Sequence, residues 1–178
     1  MEPGLVAQLD VVASMALAML LGGLIGYERE LKRRPAGFRT HMLVAGASAL
    51  LVAIGTLTVD LHLDMLPAGR GDGVLRVDPL RLVEAVIGGV AFIGAGTIFG
   101  ESRRGGEAIA GITTAASLLT VAVIGVAAGL DYYLVAVAAT ALALFVLVGL
   151  SWWERRQSLA APPPESPDKP QSSGVRRP

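Results

Sequence analysis

Between Glu28 and Arg39 this chain gathers Glu28, Arg29, Glu30, Lys32, Arg33, Arg34 and Arg39. Side chains of these types, so close together, can pair with one another or hold an ion. Glu28 with Lys32, and Glu30 with Arg34, stand i,i+4 in the order that favours a helical ion pair. Arg39-Thr40-His41 then opens an apolar run, where a cation opposes the helix macrodipole and calls for an acidic partner. Glu28 or Glu30 is the expected partner within a buried ion-pair network; a plain interfacial anchor is the competing reading. Asp78, Arg81 and Glu84 form a second cluster. A helix cap plus an i,i+3 pair accounts for it, and the alternative is a cation-binding or gating site, since hard carboxylate ligands suit Mg²⁺. Asp60-x-His62-x-Asp64 would converge on a metal only if extended.

Other chemistries find little to work with. There is no cysteine, hence no disulfide, thiolate ligand or cysteine nucleophile. No Ser/His/acid triad, glycine-rich phosphate loop or paired carboxylates can be assembled, and His41 and His62 are expected on opposite sides of a membrane, so no enzyme and no cofactor are expected. No basic face interleaved with aromatics suggests nucleic acid.

The elements that position these residues are apolar. The 178 residues are 53% hydrophobic, with a mean hydropathy of +0.59, which places the chain among integral membrane proteins. A helix needs roughly 20 apolar residues to cross a bilayer, and five charge-free runs qualify: Val11 to Tyr27, Met42 to Val59, Ala85 to Gly100, Ala108 to Leu130 and Tyr132 to Trp153. The expected fold is therefore all-α, a bundle of five transmembrane helices over residues 5–156, followed by a disordered Pro/Ser-rich cytoplasmic tail, 157–178. Twelve of the 15 Lys and Arg fall in the first tip, the second tip and the tail. Cytoplasmic loops retain such residues, so the N-terminus is expected outside and the C-terminus in the cytoplasm. Met1-Glu2-Pro3-Gly4 lacks a basic signal-peptide start, so the first run reads as a retained span. Pro35 and Gly37 are expected to end the first helix, and Asp78-Pro79 to begin the third.

Shifting the chain by 74 residues superposes Gly22 on Gly96, Gly26 on Gly100, Arg29 on Arg103, Gly37 on Gly111, Thr40 on Thr114 and Gly55 on Gly129. This suggests a parallel repeat of two hairpins, with the fifth helix added. Gly22-x-x-x-Gly26, Gly96-x-x-x-Gly100 and Gly125-x-x-x-Gly129 bring small residues onto single helix faces, and Gly94 and Gly111 are further candidates for helix packing. Internal packing is the plain reading; a homodimer contact or a ligand near the backbone is the alternative. Thr113, Ser117 and Thr120 share one face of the fourth helix, with Thr114 beside it. Such hydroxyls bond back to their own helix or across to a neighbour.

Three stretches, GGLIGYERELKRRPAGFRTHMLVAGASAL, DPLRLVEAVIGGVAFIGAGTIF and IAGITTAASLLTVAVIGVAAGL, resemble the membrane domain of the MgtC/SapB family over Leu17 to Leu150. The resemblance implies a bacterial inner-membrane domain of five helices. It also implies a link to survival in low magnesium and under acid or intracellular stress, with restraint of the F-type ATP synthase in some members. A magnesium-transport role is the other implied reading. The resemblance marks Glu28, Arg29, Glu30, Pro35, Gly37, Arg39, Thr40, Asp78, Arg81, Gly94, Ala95, Gly96, Gly111, Thr113 and Thr114. Leu119 stands where many relatives carry Trp, and the soluble C-terminal domain of the virulence-type members has no counterpart, which suggests the short SapB-like form. The expected activity is non-enzymatic stress adaptation through contacts with a membrane partner, with cation transport through a dimer as the alternative.

Overall fold

Apolar runs in which every backbone N–H and C=O is satisfied locally must be helical, and a computed structural model describing residues 3–64, 79–103 and 108–149 is helical in each run. The helices are α1 (Pro3–Leu31), α2 (Phe38–Asp64), α3 (Pro79–Arg103), α4 (Ala108–Gly129) and α5 (Tyr133–Leu144), the last continuing as a π-helical turn, Phe145–Gly149. Among the described residues four helices are long and apolar enough to cross a membrane, and Tyr133–Gly149 is a shorter apolar helix. The five-span expectation is thus borne out for four of its runs, the fifth being a shorter apolar helix among the described residues. Asp78, the tail, and Trp152 with Trp153 lie outside the described residues.

Helix ends differ from the charge-free runs. Hydropathy marks what lipid covers, whereas a helix continues as long as its hydrogen bonds do, so α1 begins at Pro3 and α2 runs on to Asp64. The set Asp60, His62 and Asp64 therefore lies on helical backbone and not on the extended segment a metal site would need. α1 stops before Pro35. Arg33 adopts φ 53°, Arg34 N–H bonds Arg29 O at 3.0 Å and Arg33 N–H bonds Glu30 O at 2.9 Å. This is the paired closure of a Schellman motif, built on an arginine where glycine is usual. It carries Arg34 out of helical register, which removes the expected i,i+4 geometry with Glu30. α4 ends the same way, with Asp131 at φ 64° and Tyr132 N–H on Ala127 O at 2.8 Å.

α4 is the central helix, touching α1, α2, α3 and α5, whereas α3 touches α4 and α2. Burial follows: 56% of the α4 span is buried against 17% of the α3 span. Small residues make the close approaches. A Cβ on Gly129 would stand 2.5 Å from Ala49 O, and one on Gly125 would be driven into Ala45 O. In the α1/α2 hairpin, Gly22 faces His41 O at 2.7 Å and Gly26 faces Phe38 Cα at 2.8 Å; Gly94 meets Ala115 Cβ at 3.2 Å. Gly111 is buried on α4, and Gly100 lies on α3.

Gly96 departs from the packing expectation, for a Cβ there would meet nothing within 4 Å, as at Gly88 and Gly89. The reason is helix phase: Val86, Val90 and Gly94 face the bundle, so Gly88, Phe92 and Gly96 face away from it. Gly22 and Gly96, superposed by the repeat, consequently have different surroundings.

Candidate functional site

Along α1 the buried positions run Ser14, Ala18, Leu21, Ile25 and then Glu28 with Arg29. These steps of three and four residues form one helix face, and at its C-terminal end the face turns from aliphatic to ionic. Glu28 is 8% exposed and Arg29 2%. Arg29 Nε donates to Glu28 Oε2 at 2.5 Å, while Lys32 Nζ stands 2.6 Å from Glu28 Oε1. One carboxylate thus serves two cations. Lys32 Nζ also donates to Leu147 O at 2.8 Å, which ties the tip to the far end of α5. At the opposite end of the bundle, the Ser14 and Tyr133 hydroxyls lie 3.0 Å apart, and Tyr133 donates to Asp131 Oδ1 at 2.6 Å. α1 and α5 therefore run in the same direction.

The face of α2 follows the same rule. His41, Ala45, Ala49 and Val52 are all fully buried, so the only imidazole near the tip sits on the packing stripe between α1 and α4. Its Nδ1 lies 2.9 Å from Gly37 O and its Nε2 3.0 Å from Ser117 Oγ. A carbonyl only accepts, so Nδ1 carries a hydrogen. Nε2 then accepts from the Ser117 hydroxyl, or donates to it while that hydroxyl turns to Thr114 O, 2.8 Å away. Both protonation states of His41 are hydrogen-bonded with no heavy atom moved. Replacing Ser117 with alanine strands Nε2 in the core, and the expected cost is about 1–3 kcal/mol of stability. Thermal unfolding in detergent reads it; a loss below about 0.5 kcal/mol would place Ser117→Ala among ordinary surface changes.

The other residues marked by the sequence divide by location. Glu30 is exposed, and its Oε2 accepts the Phe38 backbone N–H at 2.9 Å, capping α2 from across the hairpin. Arg39 is exposed and makes no ion pair with Glu28 or Glu30; Arg29, not Arg39, is the buried arginine. Thr40 is half-buried beside it. Arg81 and Glu84 are exposed and unpaired with each other, and Asp78 falls outside the described residues. Thr114 is fully buried and Thr113 half-buried on α4. Tip and α4 hydroxyls are thus brought together through His41, while the Arg81 and Glu84 cluster stays apart. Among the described residues no group of three or more His, Asp or Glu is placed to hold a metal ion. The Glu28–Lys32 pair expected from its i,i+4 spacing forms; what the sequence reading missed was the burial of His41, whose signal was its four-residue step from Ala45.

Long apolar helices joined around a small-residue core define a multi-pass α-helical membrane protein. More narrowly, a family model described as the MgtC family matches residues 15–156, and the chain belongs to that family. It is 33% identical to Protein SapB of Bacillus subtilis over 147 residues, 83% of this chain and 59% of that one. It is 38% identical to Protein MgtC of Brucella abortus over 117 residues, 66% of this chain and 41% of the relative. The Putative magnesium transporter YhiD of Escherichia coli is 32% identical over 138 residues, 78% of this chain and 59% of the relative. The chain spans about half the length of the curated relatives it matches. No solved structure matches it.

Proposed function

We propose that this protein serves magnesium and stress adaptation in the bacterial inner membrane by binding another membrane protein through α3. The tip and the C-terminal side face the cytoplasm in this reading, as the Lys and Arg distribution requires. The observation that carries it is the outer face of α3. Gly88, Gly89 and Gly96 would each accommodate a Cβ with nothing within 4 Å, whereas Gly22, Gly26, Gly94, Gly125 and Gly129 are all closed by a neighbouring helix. Glycine inside a helix costs roughly 0.5–1 kcal/mol relative to alanine, and lipid gives no return for it, whereas a partner helix can approach closely at such positions. Phe92 and Phe99, 82% and 70% exposed on the same helix, offer the bulk that would flank that approach. The F-type ATP synthase is the partner suggested by family resemblance; a second copy of the chain is the other.

The absence of cysteine makes the test direct. A single cysteine at Phe92, carrying a photo-crosslinker, is expected to capture a membrane protein in native membranes. Gly96→Leu should lower that capture about tenfold, a loss of roughly 1.4 kcal/mol, with folding unchanged. Capture of lipid alone would overturn the proposal.

Transport of Mg²⁺ is the second reading, favoured by the Glu28 carboxylate buried near the end of an apolar helix long enough to span a membrane, since ionisable groups within such spans often mark ion pathways. Protein in vesicles loaded with a Mg²⁺ dye separates the two. Flux abolished by Glu28→Gln would establish transport and remove the need for a partner.

A further inference from the structure

The two carboxylates of the tip differ in what they lack. Glu28 is enclosed by Arg29 and Lys32. Glu30, two residues on, faces outward and makes no ion pair among the described residues; its one hydrogen bond fixes Oε2 on the Phe38 N–H. Beside it a cavity of about 440 Å³ opens between the end of α1 and the start of α2, lined by Tyr27, Glu30, Leu31 and Phe38. An anion already oriented by backbone, in a cavity whose lining includes two aromatic residues, is complementary to an ammonium group. The carboxylate accepts its N–H donors, and the ring faces attract its charge.

The surroundings narrow the source of that ammonium. Leu20, Leu24, Tyr27 and Leu31 follow one another at steps of four, three and four residues, and all are more than half exposed. They make an apolar stripe that leads along α1 to residues lining the cavity, and Tyr27, next to the charged tip, is the kind of amphipathic ring that settles at a bilayer surface. Arg33 and Arg39, exposed and in no described ion pair, flank the cavity in sequence on either side. Anion inside, cations in the adjoining tip and an apolar track below together match a molecule with an ammonium, a neighbouring phosphate and an acyl chain.

We propose that the tip binds an ethanolamine phospholipid, its primary ammonium on Glu30 between Tyr27 and Phe38, its phosphate toward Arg33 and Arg39, and one acyl chain along Leu20, Leu24 and Leu31. A phosphoglycerol head offers Glu30 no cation. A choline head offers a cation without N–H donors.

The test places the full chain in nanodiscs containing equal parts of ethanolamine, glycerol and choline phospholipids and counts retained lipids by native mass spectrometry. Ethanolamine lipid is expected to be enriched about fivefold, the gain of one such contact at an exposed site. Glu30→Gln, whose side-chain carbonyl still accepts the Phe38 N–H, should return the ratio to about one. Tyr27→Leu, which keeps the apolar stripe and removes the ring, should lower it and decides the matter should the first variant fail to fold. Equal retention of all heads, enrichment that survives both variants, or preference for the glycerol or choline lipid would each overturn the assignment.

Discussion

Gly125→Ala is expected to destabilise the protein by about 3 kcal/mol or more, at the upper end of what an added methyl does in a packed core. The Cβ would be aimed at Ala45 O and, at 3.0 Å, at Ala45 C. A side chain in that position could rotate away, but a carbonyl within a helix cannot move without its helix. α2 and α4 would therefore have to separate, and the neighbouring contact of Gly129 with Ala49 O at 2.5 Å would open with them. Val52, Leu118, Val121 and Ala122 are all buried among these helices, and lipid gives no hydrophobic drive to restore the fit. The matched control is Gly96→Ala, where nothing stands within 4 Å. That change should leave stability the same or raise it by roughly 0.5–1 kcal/mol through helix propensity. Thermal unfolding of both variants in one detergent makes the comparison. Equal midpoints would mean that the α2/α4 contact is not as close as described.

The contrast between these glycines marks where the sequence stops being informative. Small-residue spacing placed Gly22, Gly26, Gly96, Gly125 and Gly129 in one class, because in a membrane the inside of a bundle and the lipid around it are equally apolar. Hydropathy can locate a span but cannot tell which of its faces is covered. Polar residues did carry that information. Ser14, Glu28, Arg29, His41, Ser117 and Thr140 are all buried, and each falls on its helix's packing face, so helix phase read from them would have separated Arg29 from Arg39. Two features of the tip were beyond such reading. A left-handed arginine at Arg33 leaves no mark in composition, although Pro35 did signal that Arg34 leaves the helix. The Lys32 bond to Leu147 O joins residues 115 apart, and nothing local encodes it.

Glu28→Ala is the second change of large expected effect, about 3–5 kcal/mol, because it removes the carboxylate paired with the buried Arg29. The Arg29 side chain is 3% exposed and Glu28's 10%, so neither solvent nor salt can replace the partner. Lys32, at 25%, can turn outward and keep its bond to Leu147 O. The two cations therefore respond unequally. Arg29→Met leaves Glu28 with the Lys32 ammonium and should cost less than Glu28→Ala. The double variant Glu28→Ala/Arg29→Met should recover a large part of the loss, since removing both members of a buried pair takes away the stranded charge as well as the attraction. Denaturation of the four proteins in detergent closes the cycle. Raising the salt from 0.1 to about 1 M should leave the coupling nearly unchanged, as screening reaches buried pairs poorly. A Glu28→Ala protein within about 1 kcal/mol of the wild type would put the pair among exposed salt bridges. The tip would then be a solvated turn, and burial would no longer support a functional role for Glu28.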